Sequence, residues 1–397
     1  MTPTATELEP RWAEHGAAWR DPAEVVSGWE GIGSVDPDLL KSRADRAFWE
    51  LLDRLELTLI VTREYEHLVV ALSVEEGKPV QSHLRLPHPS GLAVDHERGI
   101  VHVAATRNPN QIFDLEPVCG ALPRADMPYP GELTGRPLLP ARSRFLPGAL
   151  YIHDLALVGG KLHANSVGQN AVVELLEHGG HRLAWWPGSV EREGKPDIGR
   201  NYLQLNSIAA GPDLEGSFFS ASQAAPSQRR PGHKNWPVDG RGVIFSGATR
   251  EPVASGLTRP HSARLHEGAV WVDNSGYGEL CRLEGEQFTT VAQLPGWTRG
   301  LAFAEGIAFV ASSRVIPRFR QYAPGLDVDR SVCGLHAVDL ASGQIVGSVR
   351  WPYGNQIFAV EALPRDFTLG FPFRSARPAP DRTRRLFYAF DFQGEQR

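Results

Sequence analysis

Gly300-Leu301-Ala302-Phe303-Ala304-Glu305-Gly306-Ile307-Ala308-Phe309-Val310 is the stretch that decides the fold. Two short apolar runs flank a Glu-Gly pair. Each run is the length of a strand, and the glycine suits a turn with positive φ, so the segment predicts an antiparallel strand pair. The same shape recurs along the chain. Gly91-Leu92-Ala93-Val94 turns at Gly99 into Ile100-Val101-His102-Val103, and Asp154-Leu155-Ala156-Leu157 turns at Gly159-Gly160 into Lys161-Leu162-His163-Ala164. Ser207-Ile208-Ala209-Ala210 turns at Gly216 into Ser217-Phe218-Phe219, and Ser262-Ala263-Arg264-Leu265 turns at Gly268 into Ala269-Val270-Trp271-Val272. Phe358-Ala359-Val360-Glu361-Ala362 supplies a sixth first strand.

The turn glycines 99, 160, 216, 268 and 306 stand 61, 56, 52 and 38 residues apart. Repeats of roughly 40–50 residues holding several short strands are the mark of a propeller blade, with loop insertions stretching the interval. The reading is therefore all-β, a six-bladed β-propeller between residue 57 and the C-terminal region. Leu57–Thr62 would pair with the C-terminal strands and close the ring, which removes open sheet edges. A large β-sandwich is the competing arrangement of the same strands. Residues 1–56 read as an N-terminal arm with an amphipathic helix, and 57–397 as the propeller. The helix is expected to be capped by Asp38 and to carry Leu40, Ala44, Ala47, Phe48, Leu51, Leu52 and Leu55 on one face.

Composition narrows the function classes. The 397-residue chain is 42% hydrophobic and 22% charged, an ordinary globular balance. A net charge of −5 gives no electrostatic reason for a nucleic acid partner. No apolar run approaches the ~18 residues of a membrane span, and the N-terminus has no secretory h-region. Three widely spaced cysteines (Cys119, Cys281, Cys333) offer neither a disulfide framework nor a thiolate zinc site, and predict a reducing cytoplasm. Two insertions interrupt the repeats: the proline-rich 119–147, and 221–242 with its basic stretch from Gln228 to Trp236. Both read as solvated surface loops, with a lid over a site as the alternative.

In a propeller the first strands line the central channel, so equivalent positions of distant repeats converge. The residues just before or at the start of each repeat are Ser90, His153, Asn206, His261, Arg299 and Phe358. Second-strand ends add Asn165, Ser222, Asn274 and Ser312, while Asp154 and Asp273 lie one residue away. Buried polar groups need partners, so this polar set predicts water, a metal or a ligand at one level of the channel. His153 and His261 suit either an acid/base pair or, with His88, a divalent metal site. Arg299 suits a substrate carboxylate or phosphate, and Asp154 joins the catalytic candidates. Ser90, Asn165, Asn206 and Asn274 are candidate substrate contacts. The plainer alternative for each histidine is a ring bonded to backbone in the channel wall, and His102 and His163 read as core or interblade residues.

Other motifs are absent. Gly296-Trp297-Thr298-Arg299-Gly300 carries threonine where a nucleophile elbow needs serine. His266-Glu267 lacks the second histidine of a zincin. Gly194-Lys195 is followed by proline, so no P-loop forms, and Ser275-Gly276-Tyr277-Gly278 is too short for a dinucleotide fingerprint. Nucleotide and nicotinamide cofactors are not expected.

Several segments resemble an uncharacterised bacterial family of conserved hypothetical proteins with propeller repeats. They include Ser90-Gly91-Leu92-Ala93-Val94-Asp95, His153-Asp154-Leu155-Ala156, Leu205-Asn206-Ser207, Pro260-His261-Ser262, Trp271-Val272-Asp273-Asn274-Ser275-Gly276 and Leu294-Pro295-Gly296-Trp297-Thr298-Arg299-Gly300. The resemblance spans about residues 48–365 and implies a propeller with its site at the channel, but no activity. The chain departs from it at His163-Ala164-Asn165 and at Gln204. More distantly, the architecture is similar to the six-bladed gluconolactonase and strictosidine-synthase group, which implies a metal or catalytic residues at one channel end. Together these readings predict an enzyme that hydrolyses, eliminates from or isomerises a small polar metabolite. The alternative is a non-catalytic propeller that binds a protein or peptide on its rim through Trp185, Trp186 and Trp236.

Overall fold

A computed structural model describes residues 4–18, 33–107, 110–122, 125, 133–199, 201, 203–227, 233, 236, 238–376 and 389–392. Six antiparallel sheets, five of four strands and one of five, form the blades of one ring. From the axis outward, blade 2 runs Pro89–Asp95, Ile100–Ala105, Asn110–Pro117 and Leu138–Leu146, and blade 3 runs Ile152–Val158, Lys161–Ser166, Ala171–Leu175 and His181–Trp185. Blades 4, 5 and 6 begin at the axis with Leu205–Ala209, Pro260–His266 and Trp297–Ala304. Blade 1 is composite. Its innermost strand, Ala359–Pro364, comes from the C-terminal side and pairs with Leu57–Arg63 in the register Ile60↔Glu361 and Val61↔Val360. The ring therefore closes as the strand pattern predicts, by a hydrogen-bonded seam between the two ends of the repeat array.

Apolar faces of adjacent blades pack on one another, so the core is a set of interblade clusters rather than one central mass. Ile60, Val69 and Leu84 of blade 1 meet Leu92, Val103 and Leu115 of blade 2, for example. The expected helix from Asp38 is divided. Asp36, not Asp38, caps the short helix Pro37–Leu40, accepting from the Asp38 N–H at 3.0 Å. Lys41 is extended, and Arg43–Ala44 then pairs with Ile345–Arg350 as a fifth strand on blade 6. Satisfying that outer edge outweighs continuing the helix. The amphipathic helix is Arg46–Arg54, with Phe48, Leu51 and Leu52 buried against blades 1 and 6. A further helix, Ala5–Ala18, carries Pro10 inside it, which masks its periodicity.

Bulges in the inner strands position the site. The pairing register slips within the first strand of five blades, between Pro89/Leu92, Ile152/Leu155, Leu205/Ser207, His261/Arg264 and Thr298/Leu301. These irregularities recur at matching places and bend the strands toward the axis. Gly91 makes the approach possible in blade 2, since a Cβ there would lie 2.6 Å from the Asp154 Cα of blade 3.

Candidate active site at the channel mouth

Two rings of side chains stack at one end of the channel. The inner ring is the set expected from the repeats: Ser90, His153, Asn206, His261, Arg299 and Phe358. Two residues earlier in each repeat lies a second ring, His88, Tyr151, Gln204, Arg259, Trp297 and Gln356. Of these, Tyr151, Gln204, Arg259, Trp297 and Gln356 line a cavity of about 610 Å³ together with His153, Arg299 and Phe358. Four of the outer-ring residues have left-handed backbone: His88 (φ 43°), Tyr151 (51°), Gln204 (51°) and Arg259 (56°). Non-glycine residues adopt that conformation at a cost, so four equivalent cases mark a position whose side-chain direction is enforced.

His153 and His261 are brought together. Their rings stack with centroids 5.5 Å apart, and Phe358 meets each edge-on at 5.2 and 5.8 Å. Arg299 lies flat on Phe358 at 3.6 Å and reaches His261 Nε2, with Nη2 at 2.7 Å and Nε at 3.1 Å. His261 Nε2 therefore accepts, which requires a neutral ring with its proton on Nδ1. Burial, then the positive charges of Arg299 and Arg259, hold His153 well below the usual histidine value, with the Asn206 amide acting in the opposite direction. Burial and then Arg299 do the same to His261. His153 Nδ1 has no hydrogen-bond partner.

Arg259, which lies outside the register set by the repeats, is the second cation of the site. Its guanidinium sits between Trp236 (5.3 Å) and Tyr322 (4.6 Å) and donates to Gln204 Oε1. Burial pushes Arg259 down to about 9 and Arg299 to about 10. Both remain cationic at neutral pH. Among the described residues, neither has a carboxylate within ion-pair distance. The lining holds one further arginine, Arg107, and one acid, Glu64; Glu64 is already engaged by Thr106 at 3.1 Å and Arg107 at 3.5 Å.

The remaining expected contacts do not line the cavity. Ser90 donates to Ile152 O of blade 3 at 2.9 Å and to Ala104 O at 3.1 Å. Asn165 accepts from the His153 and Asp154 N–H groups and donates to Leu205 O of blade 4 at 2.7 Å. Asn206 donates to Pro260 O of blade 5 at 2.8 Å and keeps Oδ1 unpartnered. Asn274 accepts from Thr258 N and donates to Glu279, both at 2.7 Å, away from the cavity. Asp154 faces down the channel, where Arg264 of blade 5 grips it at 2.9 Å and Glu361 of blade 1 stands 3.9 Å from the same guanidinium. His102 pairs within its own blade with Asp114 at 2.6 Å.

The donors do not fit the metal expectation. A guanidinium occupies His261 Nε2, and two buried arginines flank the histidines, so a cation there would face repulsion. His88 packs on His67 at 4.3 Å and does not line the cavity. Among the described residues no three His, Cys, Asp or Glu side chains converge as ligands. Two of the three rim tryptophans also differ from expectation, while Trp186 is half-buried. Trp185 is buried, stacked on Phe219 at 3.9 Å and bonded to Gly247 O, and Trp236 is buried under the mouth with Trp297 and Tyr322. Of the 221–242 insertion, 228–232, 234–235 and 237 lie outside the described residues.

A fold and site of this kind define a channel-centred six-bladed propeller, a class that serves enzymes and binding proteins alike. Within that class the chain belongs to the DUF4915 family, a domain of unknown function, whose model matches residues 46–368. No curated protein matches it. Among solved structures, the nidogen/laminin complex aligns over 77% of this chain and 98% of its own, with 11% identity and a TM-score of 0.51. A protein of unknown function from Bacteroides caccae aligns over 78% of this chain and 99% of its own, at 11% identity and a TM-score of 0.44. Streptogramin B lyase aligns over 72% of each chain, at 11% identity and a TM-score of 0.35. At 11% identity the likeness to the nidogen/laminin complex speaks to the fold alone. Among the described residues no helix is long and apolar enough to cross a membrane.

Proposed function

We propose that the channel mouth is an active site for a small anionic metabolite. The observation that carries this is the pair Arg259 and Arg299, 5% and 6% exposed, lining one cavity without a carboxylate partner among the described residues. Glu64 and Asp273 offset the Arg299 charge in part from beyond ion-pair distance, and no carboxylate does so for Arg259; a buried charge without a close partner is expensive, as breaking a buried pair typically costs about 3–5 kcal/mol. A carboxylate or phosphate supplies the missing counter-charge, and the guanidinium fork matches its geometry. His153 stands beside them as a neutral imidazole with an unpartnered ring nitrogen, the form a general base requires. The chemistry this supports is removal or return of a proton next to the bound anionic group, as in elimination, isomerisation or hydrolysis. His261 acts through Arg299 and is a positioning residue.

Thermal unfolding with inorganic phosphate as the probe tests the reading. Millimolar phosphate is expected to raise the midpoint of the wild-type protein, and Arg259→Gln or Arg299→Gln to abolish that rise. His153→Asn is expected to retain it. A phosphate shift that survives both arginine replacements sinks the proposal.

A further inference from the structure

We infer that the ligand is a hydroxylated anion, a polyol bearing one carboxylate or phosphate ester; this rests on the anion site proposed above. Four side chains that line the cavity carry buried polar atoms without a partner: the donors Arg259 Nε and Trp297 Nε1, the acceptor Gln356 Oε1, and His153 Nδ1. A buried group left unpaired costs about 1–3 kcal/mol, so a ligand that displaces water from this cavity has to pair with these four atoms. An anionic group alone answers the donors and leaves Gln356 Oε1 unserved. The ligand must also donate.

An ammonium group is the wrong donor. Three guanidiniums and one carboxylate line the space, and the carboxylate, Glu64, is already shared by Thr106 and Arg107. An uncharged donor is required. Aromatic acids are disfavoured too, because three of the rings that line the mouth are already covered. Phe358 is covered by Arg299 and Tyr322 by Arg259, while Trp297 packs edge-on with Phe319. A hydroxyl both donates and accepts, so one functional group suits Gln356 Oε1, His153 Nδ1 and Trp297 Nε1 alike. The cavity, at about 610 Å³, has room for several such groups on one carbon frame.

Titration calorimetry of the full chain with four six-membered-ring probes tests this. Quinate carries hydroxyls and a carboxylate, cyclohexanecarboxylate only the carboxylate, myo-inositol only hydroxyls, and myo-inositol 1-phosphate hydroxyls and a phosphate. A site built to bond hydroxyls rejects the analogue lacking them. Quinate or inositol phosphate is expected to bind at least about tenfold more tightly than cyclohexanecarboxylate, with myo-inositol weaker still. Whichever of the two binds identifies the anionic group. Gln356→Leu is expected to shrink the preference for quinate over cyclohexanecarboxylate to less than about threefold, while Arg299→Gln removes binding of every anion. Equal affinity for quinate and cyclohexanecarboxylate overturns the hydroxyl inference and leaves the anion site standing. No binding by any of the three anions overturns the anion site itself.

Discussion

Asn165 spends its side-chain amide on backbone, and that is the common fate of polar residues around this channel. Thr62 donates to Ser90 O (2.6 Å), Ser90 to Ile152 O, Asn165 to Leu205 O and Asn206 to Pro260 O. Ser275 donates to Thr298 O (2.6 Å), and Ser313 to Ile357 O (3.2 Å). Each bond runs from one blade to the next, and together they go once around the ring. Asn165→Ala strands a carbonyl and two N–H groups, so it should cost about 3 kcal/mol in urea unfolding. The phosphate-induced shift should be unchanged, which separates a tie between blades from a ligand contact. The repeats make His153, His261 and Arg299 legible as neighbours. They do not distinguish a polar group owed to a ligand from one owed to a neighbouring blade, because both need the same residue types at the same level. Arg259, Gln204 and Gln356 carry a legible signal too. Side chains two apart along a strand share a face, so residues two before His261, Asn206 and Phe358 belong to the same lining. The left-handed backbone at Arg259 and Gln204 leaves no mark in the residue types.

Within a blade, the turn and bulge glycines do different work. Gly268 has φ 75°, and a methyl group there would meet nothing within 4 Å, so Gly268→Ala should cost about 1 kcal/mol through backbone conformation alone. Gly91→Ala forces a methyl onto the backbone of blade 3 and should cost more than about 2 kcal/mol, measured as urea midpoints of both variants. Blade 6 carries a pH-dependent element of its own. His336 joins three strands, with Nε2 to Ser312 Oγ and Nδ1 to Ser348 Oγ, both at 2.9 Å. Burial, with Arg350, pushes it to about 3 from an ordinary 6.5. The unfolded chain takes up this proton first, so the stabilisation is complete above pH 6.5. It is lost as pH falls toward 3, by about 1.4 kcal/mol per unit. Glu361, raised to about 7 by burial, runs the other way: its contribution is lost as pH rises through 7. Comparing wild type with His336→Gln isolates the histidine. Their difference in unfolding free energy should shrink between pH 7 and pH 5. A constant difference removes His336 from the account. The strands are readable at this scale because apolar runs and turn glycines are local. The break in the helix from Asp38 is not, because the competing partner for Arg43–Ala44 lies about 300 residues away in the chain.

At the scale of the molecule, closure by a strand from each end makes the ring a single cooperative unit. Val360 pairs with Val61 inside the composite blade. Leu363, opposite Thr58 in the same seam, points its N–H at the Leu57–Arg63 strand, so Leu363→Pro removes a ladder donor there and should cost about 3 kcal/mol or more, read as a fall in the cooperative melting midpoint. The same substitution at the exposed Tyr353, outside any strand, should cost much less. That the ends meet is legible because six repeats need a partner for the first strand. The geometry of the roof over the mouth is not, since 315–328 has no repeat counterpart.

Arg264 reaches from blade 5 to Asp154 in blade 3 and toward Glu361 in blade 1, a strut thrown across the axis beneath the histidines. A tube barred in the middle becomes a cup. On the reading proposed above, a ligand that binds above the strut enters and leaves by the same doorway.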